Sequence, residues 1–164
     1  MDIHVALLTP LLIGAGVIVL TIFIHAFALR ATVTLIRHEE RVGRAGSGFS
    51  IDVFLVACAA SLALSAHLVV IALWAGLFMI FGEFSAFAPA YYYSAANYTT
   101  VGYGDAVMSP AWSLLRPLVA ADGMLMFGIS TALIFAVIHH LIQVYFASEH
   151  TWAPRGGGAR ASKM

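Results

Sequence analysis

The chain has 164 residues, 62% of them hydrophobic and 10% charged, and its formal net charge is zero. So low a charge content excludes an ordinary soluble domain, and a neutral balance gives no electrostatic footprint for nucleic acid. The single cysteine, Cys58, lies in an apolar stretch; it excludes a disulfide framework within the chain and reads as a small packing residue.

Charged side chains are absent from Ile3 to Leu29, from Val53 to Gly82 and from Gly123 to Ser148. Each stretch exceeds the roughly 20 residues that cross a bilayer as a helix. The predicted fold class is therefore an all-α membrane protein with three spanning helices. The first helix is expected from about Val5 to Arg37, within an N-terminal segment 1–37. It has neither a basic leader nor a small-residue cleavage site, so it reads as a retained span. Pro10 is expected in its first turn, where a backbone donor is unpaired anyway. His25 near its far end reads as a snorkelling or packed residue.

A polar, glycine-rich linker follows at 38–50. Arg37, Arg41 and Arg44 surround it, and Arg155, Arg160 and Lys163 lie in the tail 148–164, which has too few apolar residues to fold alone. By the positive-inside rule both segments face the cytoplasm, which leaves Met1 outside. The second helix should open at Ser50 as N-cap, with Phe49 and Phe54 as a hydrophobic staple and Asp52 in the first turn, and run to about Phe81. His67 lies near its middle.

From Pro89 to Thr99 an aromatic, apolar segment is too short to span. It leads into Thr99-Thr100-Val101-Gly102-Tyr103-Gly104-Asp105. Glycines two apart open backbone conformations closed to other residues, so that successive carbonyls can point one way. Four such loops around an axis would make stacked rings of oxygen that replace the hydration shell of an ion. The last helix is expected from near Trp112 to about Tyr145. On one of its faces lie Met124, Phe127, Thr131 and Phe135, spaced for a stripe that is either a pore lining or plain packing.

The seven-residue loop and the helices around it resemble the pore of the tetrameric potassium channels, over a region 51–147. That resemblance implies an outer helix, pore helix, filter and inner helix, with the N-terminal span as an addition. It implies a homotetramer, since one filter copy needs three further copies of the chain to close a pore. Carbonyls of Thr100, Val101, Gly102, Tyr103 and Gly104 would carry dehydrated potassium ions, with no organic cofactor. Tyr92, Tyr93, Asn97, Thr99 and Asp105 would support the filter, and Tyr103 marks potassium over sodium. Met124, Phe127, Thr131 and Phe135 match the cavity and gate, Gly123 the hinge, and Gly128 a close-packing glycine. A bacterial inner membrane is the implied location.

The chain departs from that family in two places. Some members place a glutamate at the position of Ala96, paired to the filter aspartate. Here the tyrosine hydroxyls and Asn97 are the nearest substitutes. Asp122 is a carboxylate inside a span, which is expensive and marks function. It reads as a structural hydrogen-bonding group toward Asn97, Ser94 or His67, as a proton-sensitive site, or as a charge facing the cavity. In the first case Asp122→Asn is expected to impair assembly or gating more than selectivity. His139 and His140 fall where four inner helices would converge, either as a proton-responsive gate or as packed side chains. No helix carries a periodic arginine ladder, and no nucleophile–base pair, HExxH or phosphate loop points to an enzyme. The alternative to a conducting channel is a channel-like subunit that modulates another membrane protein.

Overall fold

The computed structural model describes residues 3–46, 48–104 and 106–151, with side chains described between 8 and 146. Four helices follow in order: α1 Ile3–Arg41, α2 Phe49–Ile80, α3 Phe87–Tyr98 and α4 Leu115–Thr151. There is no strand among the described residues. Helices α1, α2 and α4 are each long and apolar enough to cross a membrane. The protein is an all-α, multi-pass membrane protein.

α1 has 39 residues, roughly 58 Å at 1.5 Å per residue, against about 30 Å of hydrocarbon. It starts before Val5 and continues through His38–Arg41, because nothing breaks the backbone until Gly43 at φ 71°. Pro10 accordingly stands inside the helix, beyond its first turn. Membrane helices tolerate such a break where neighbouring groups satisfy the freed carbonyl.

The start of α2 differs from expectation. Its N-cap is Gly48, with no side-chain cap, and Ser50 is already helical. Phe49 and Phe54 are 84% and 61% exposed and do not close a staple. Asp52 instead reaches back over the turn and accepts the Gly46 N–H at 2.9 Å. The other end is sharply defined. Gly82 at φ 75° donates to the Met79 carbonyl and Glu83 to that of Phe78, the paired bonds by which a left-handed glycine closes a helix. Glu83 then accepts from the backbone N–H and hydroxyl of Ser109, so the turn ahead of α4 is tied to the end of α2.

α4 begins later than Trp112. That indole lies flat on Phe81, with ring centroids 3.8 Å apart and planes 2° from parallel, so it belongs to the connecting turn and leaves Leu115–Pro117 to open the helix. The short α3 is bonded into α2, its Ser94 hydroxyl donating to the Ile71 carbonyl at 2.9 Å. Around that contact lies the larger core, built from Val70, Trp74, Phe78, Tyr93, Leu115, Val119 and Met126. A second, smaller core joins Ile36, Leu55, Ala59, Val137 and Leu141 where the long helices meet again.

α1 packs against both α2 and α4. At Gly14 the approach to α4 is so close that a Cβ would run into the Leu118 side chain. The added helix is therefore part of the bundle and fills the groove between the outer and inner helices.

Candidate functional site

The loop that follows α3 has an alternating backbone. Thr100, Gly102 and Gly104 take φ of 62°, 56° and 75°, while Val101 and Tyr103 between them do not enter the positive-φ region. Alternation of this kind turns consecutive peptide carbonyls toward one side of the strand. For a threonine, the left-handed region costs about 1–2 kcal/mol, and strain of this kind collects at functional sites. The loop is anchored on α3: the Thr100 N–H donates to the Asn97 carbonyl at 2.9 Å and the Gly102 N–H to the Ala96 carbonyl at 3.0 Å. Within a single chain Val101 and Tyr103 are 53% and 68% exposed.

The residues expected to support the loop are dispersed. The Asn97 amide donates to the Tyr93 carbonyl at 2.8 Å, one turn back in its own helix, and Thr99 to the Ala95 carbonyl at the same distance. Asn97 thus braces its own helix. Tyr92 and Tyr93 diverge. The Tyr92 ring lies parallel to that of Tyr103, centroids 6.2 Å apart, whereas Tyr93 is buried against Phe78 and Phe84. Asp105 lies outside the described residues. Beside the loop is a cavity of about 430 Å³ lined by Asn97, Thr100, Gly102, Ser113, Arg116 and Pro117.

Along α4, Met124, Phe127, Thr131 and Phe135 all lie on an exposed face. The Phe127 ring nevertheless turns inward and stacks on His67, centroids 4.4 Å apart. The two glycines differ in their surroundings within the chain. A Cβ on Gly123 would collide with the Tyr98 carbonyl, while one on Gly128 would meet nothing within 4 Å. Gly123 is thus the close-packing glycine within the chain, and Gly128 is the one with room. His140 turns away from its neighbour His139 and pairs with Glu40 at the end of α1, while His139 stacks on Phe135.

Asp122 is fully buried and has none of the partners expected for it. Its carboxylate accepts from the Thr21 hydroxyl of α1 at 2.7 Å and from the Trp74 indole of α2 at 2.8 Å. Next to it runs a second polar chain. His25 Nδ1 lies 3.1 Å from the Thr21 carbonyl, and since a carbonyl only accepts, that nitrogen carries the hydrogen. His25 Nε2 faces His67 Nδ1 at 3.4 Å, which also meets the Tyr98 hydroxyl at 2.9 Å, and His67 Nε2 meets Ser130 Oγ at 3.0 Å. His25 does not snorkel; it is 4% exposed. Thr21, Trp74, Tyr98 and Ser130 were not legible as members of a site. The one available signal was that polar groups inside charge-free spans need partners there, with Thr21 and His25 one helical turn apart.

Residues 66–140 match the family model described as an ion channel. No curated protein and no solved structure matches the chain. Residues 66–140 are thus similar to an ion-channel domain over just under half of the chain, and the helix–loop–helix arrangement of α2, α3 and α4 spans that match. α1 precedes it as an additional N-terminal helix.

Proposed function

We infer that the protein is a potassium-selective channel formed by four copies of the chain. The observation that carries this reading is the alternation of positive φ at Thr100, Gly102 and Gly104, at the end of a helix too short to span, within a segment that matches an ion-channel family. In the tetramer the carbonyls of Thr100, Val101, Gly102, Tyr103 and Gly104 replace the water around a dehydrated potassium ion. Potassium is the cargo, and no organic cofactor takes part.

The exposure of Val101 and Tyr103 in one chain supports assembly, because lipid cannot satisfy an irregular backbone and protein or pore water must cover it. The exposed face with Met124, Thr131 and Phe135 would then line the cavity below the filter. Met1 lies outside and the arginine-bearing linker inside, in a bacterial inner membrane. The test is potassium against sodium flux in liposomes holding the purified protein, with Tyr103→Asp beside it. The expected result is potassium-selective flux in the parent and lost discrimination in the variant. An intact tetramer that passes neither ion would favour a modulatory subunit instead.

A further inference from the structure

The potassium-channel pore resemblance leaves this chain without the glutamate that props the filter in some relatives, since Ala96 stands there. The nearest buried group to the loop that is held by other helices is Tyr98. It is the last residue of α3, it is fully buried, and Thr99 and the left-handed Thr100 follow it directly.

Two separate chains of contact converge on this residue. At its hydroxyl end Tyr98 meets His67 of α2 at 2.9 Å, and His67 in turn faces His25 of α1 at 3.4 Å and Ser130 of α4 at 3.0 Å. At its backbone end the Tyr98 carbonyl rests on Gly123 with no room for a Cβ between them. The neighbour of that glycine is Asp122, fixed by Thr21 and Trp74. Thr21 belongs to both chains, since its carbonyl bonds His25 and its hydroxyl bonds Asp122. Phe127 closes the remaining side, its ring 5.6 Å from that of Tyr98 and stacked on His67.

We propose that Tyr98 is the positioning residue that sets the filter, and that the N-terminal helix holds it in place through His25–His67 at the hydroxyl and Thr21–Asp122 beneath the carbonyl. The inference rests on the potassium-channel reading for what the filter does, and on the contacts above for what holds it. It gives α1 a task that a peripheral span would not have. A hydrogen bond in a region that excludes water is costly to leave unmade, so Tyr98 is fixed to a narrow range of positions as long as α1 stays docked. The start of the loop at Thr99 moves only if Tyr98 moves.

The experiment uses the full chain in liposomes and reads two quantities for each variant: the potassium-to-sodium flux ratio, and the fraction recovered as the parent oligomer. Tyr98→Phe and His67→Leu remove the bond at the hydroxyl, His67→Gln keeps a polar partner there, and His25→Leu removes only the α1 contribution. The first two should lower the flux ratio about tenfold, the effect of one buried hydrogen bond on an equilibrium, with the oligomer retained. His67→Gln should recover most of the loss, and His25→Leu should show a smaller loss in the same direction. Parent-like ratios in Tyr98→Phe and His67→Leu overturn the proposal. So does a loss of oligomer with unchanged selectivity in what assembles, which is the mark of a purely structural bond. The parent is measured first: if it does not itself discriminate between the ions, the potassium reading falls, and the strut falls with it for a separately visible reason.

Discussion

The filter loop and the polar cluster behind it are opposites in almost every physical respect. The loop is contiguous in sequence, exposed in a single chain and strained at Thr100. The cluster is drawn from four helices, with Thr21 and Asp122 separated by 101 positions, and Thr21, His25, His67, Asp122 and Ser130 are all buried. One chain leaves Val101 and Tyr103 of the loop exposed, whereas it satisfies the cluster by itself. The contrast separates two jobs. On the proposed reading, a surface that would meet ions and other copies of the chain is left open, and the scaffold that holds it is closed within the single chain.

The sharpest way to break this division is at Gly123 and Gly128. If the inner helix packs on the pore helix within one chain, Gly123→Ala drives a methyl group into the Tyr98 carbonyl, where backbone cannot yield as a side chain would. A loss of about 3 kcal/mol is expected, at the upper end for overpacking. Gly128→Ala should be neutral or stabilising by up to about 1 kcal/mol, from helix propensity. Thermal unfolding in detergent, followed by circular dichroism, distinguishes them. The reverse order would mean that Gly128 is the crowded position, against a neighbouring subunit.

Asp122 offers a smaller effect and a finer distinction. Asp122→Leu leaves the Trp74 N–H buried without an acceptor, which costs about 1–3 kcal/mol. Asp122→Asn can keep both contacts. Its carbonyl accepts from Trp74 and its amide donates to the Thr21 oxygen, while the Thr21 proton goes to the Ile18 carbonyl, already 2.7 Å away. The partners found for Asp122 thus alter the expectation drawn from sequence, and Asp122→Asn should lose less than about 1 kcal/mol. Equal losses in both variants, by the same unfolding measurement, would show that the carboxylate's charge matters more than its bonds.

The smallest effect belongs to the pair formed by His140 and Glu40. Both groups are partly exposed, with side-chain accessibilities of 42% and 34%, so Glu40→Gln should cost no more than about 0.5 kcal/mol. If pH-dependent flux nevertheless disappears in Glu40→Gln, this pair would be a gate element and the division between open pore and closed scaffold would not hold at that end.

Much of the fold was legible because its signals are local. Three charge-free stretches, two glycines spaced by one residue and an aromatic segment too short to span require no knowledge of the rest of the chain. Boundaries were less legible where a long-range contact competes with a local rule. Ser50 loses the N-cap to Gly48 because the turn ahead of it is closed by Asp52 on Gly46. Trp112 leaves α4 because it stacks on Phe81.

By itself the sequence determined the three apolar spans, the pore-loop motif and the short helix that carries it, because composition and backbone permissiveness act over a few neighbouring residues. Only the tertiary structure decided that α1 lies between α2 and α4, that Gly123 rather than Gly128 is pressed against α3, and that Asp122 bonds Thr21 and Trp74. A buried polar group must find a partner, but which one depends on helix rotation and crossing, and these are set by packing along the whole length of each span.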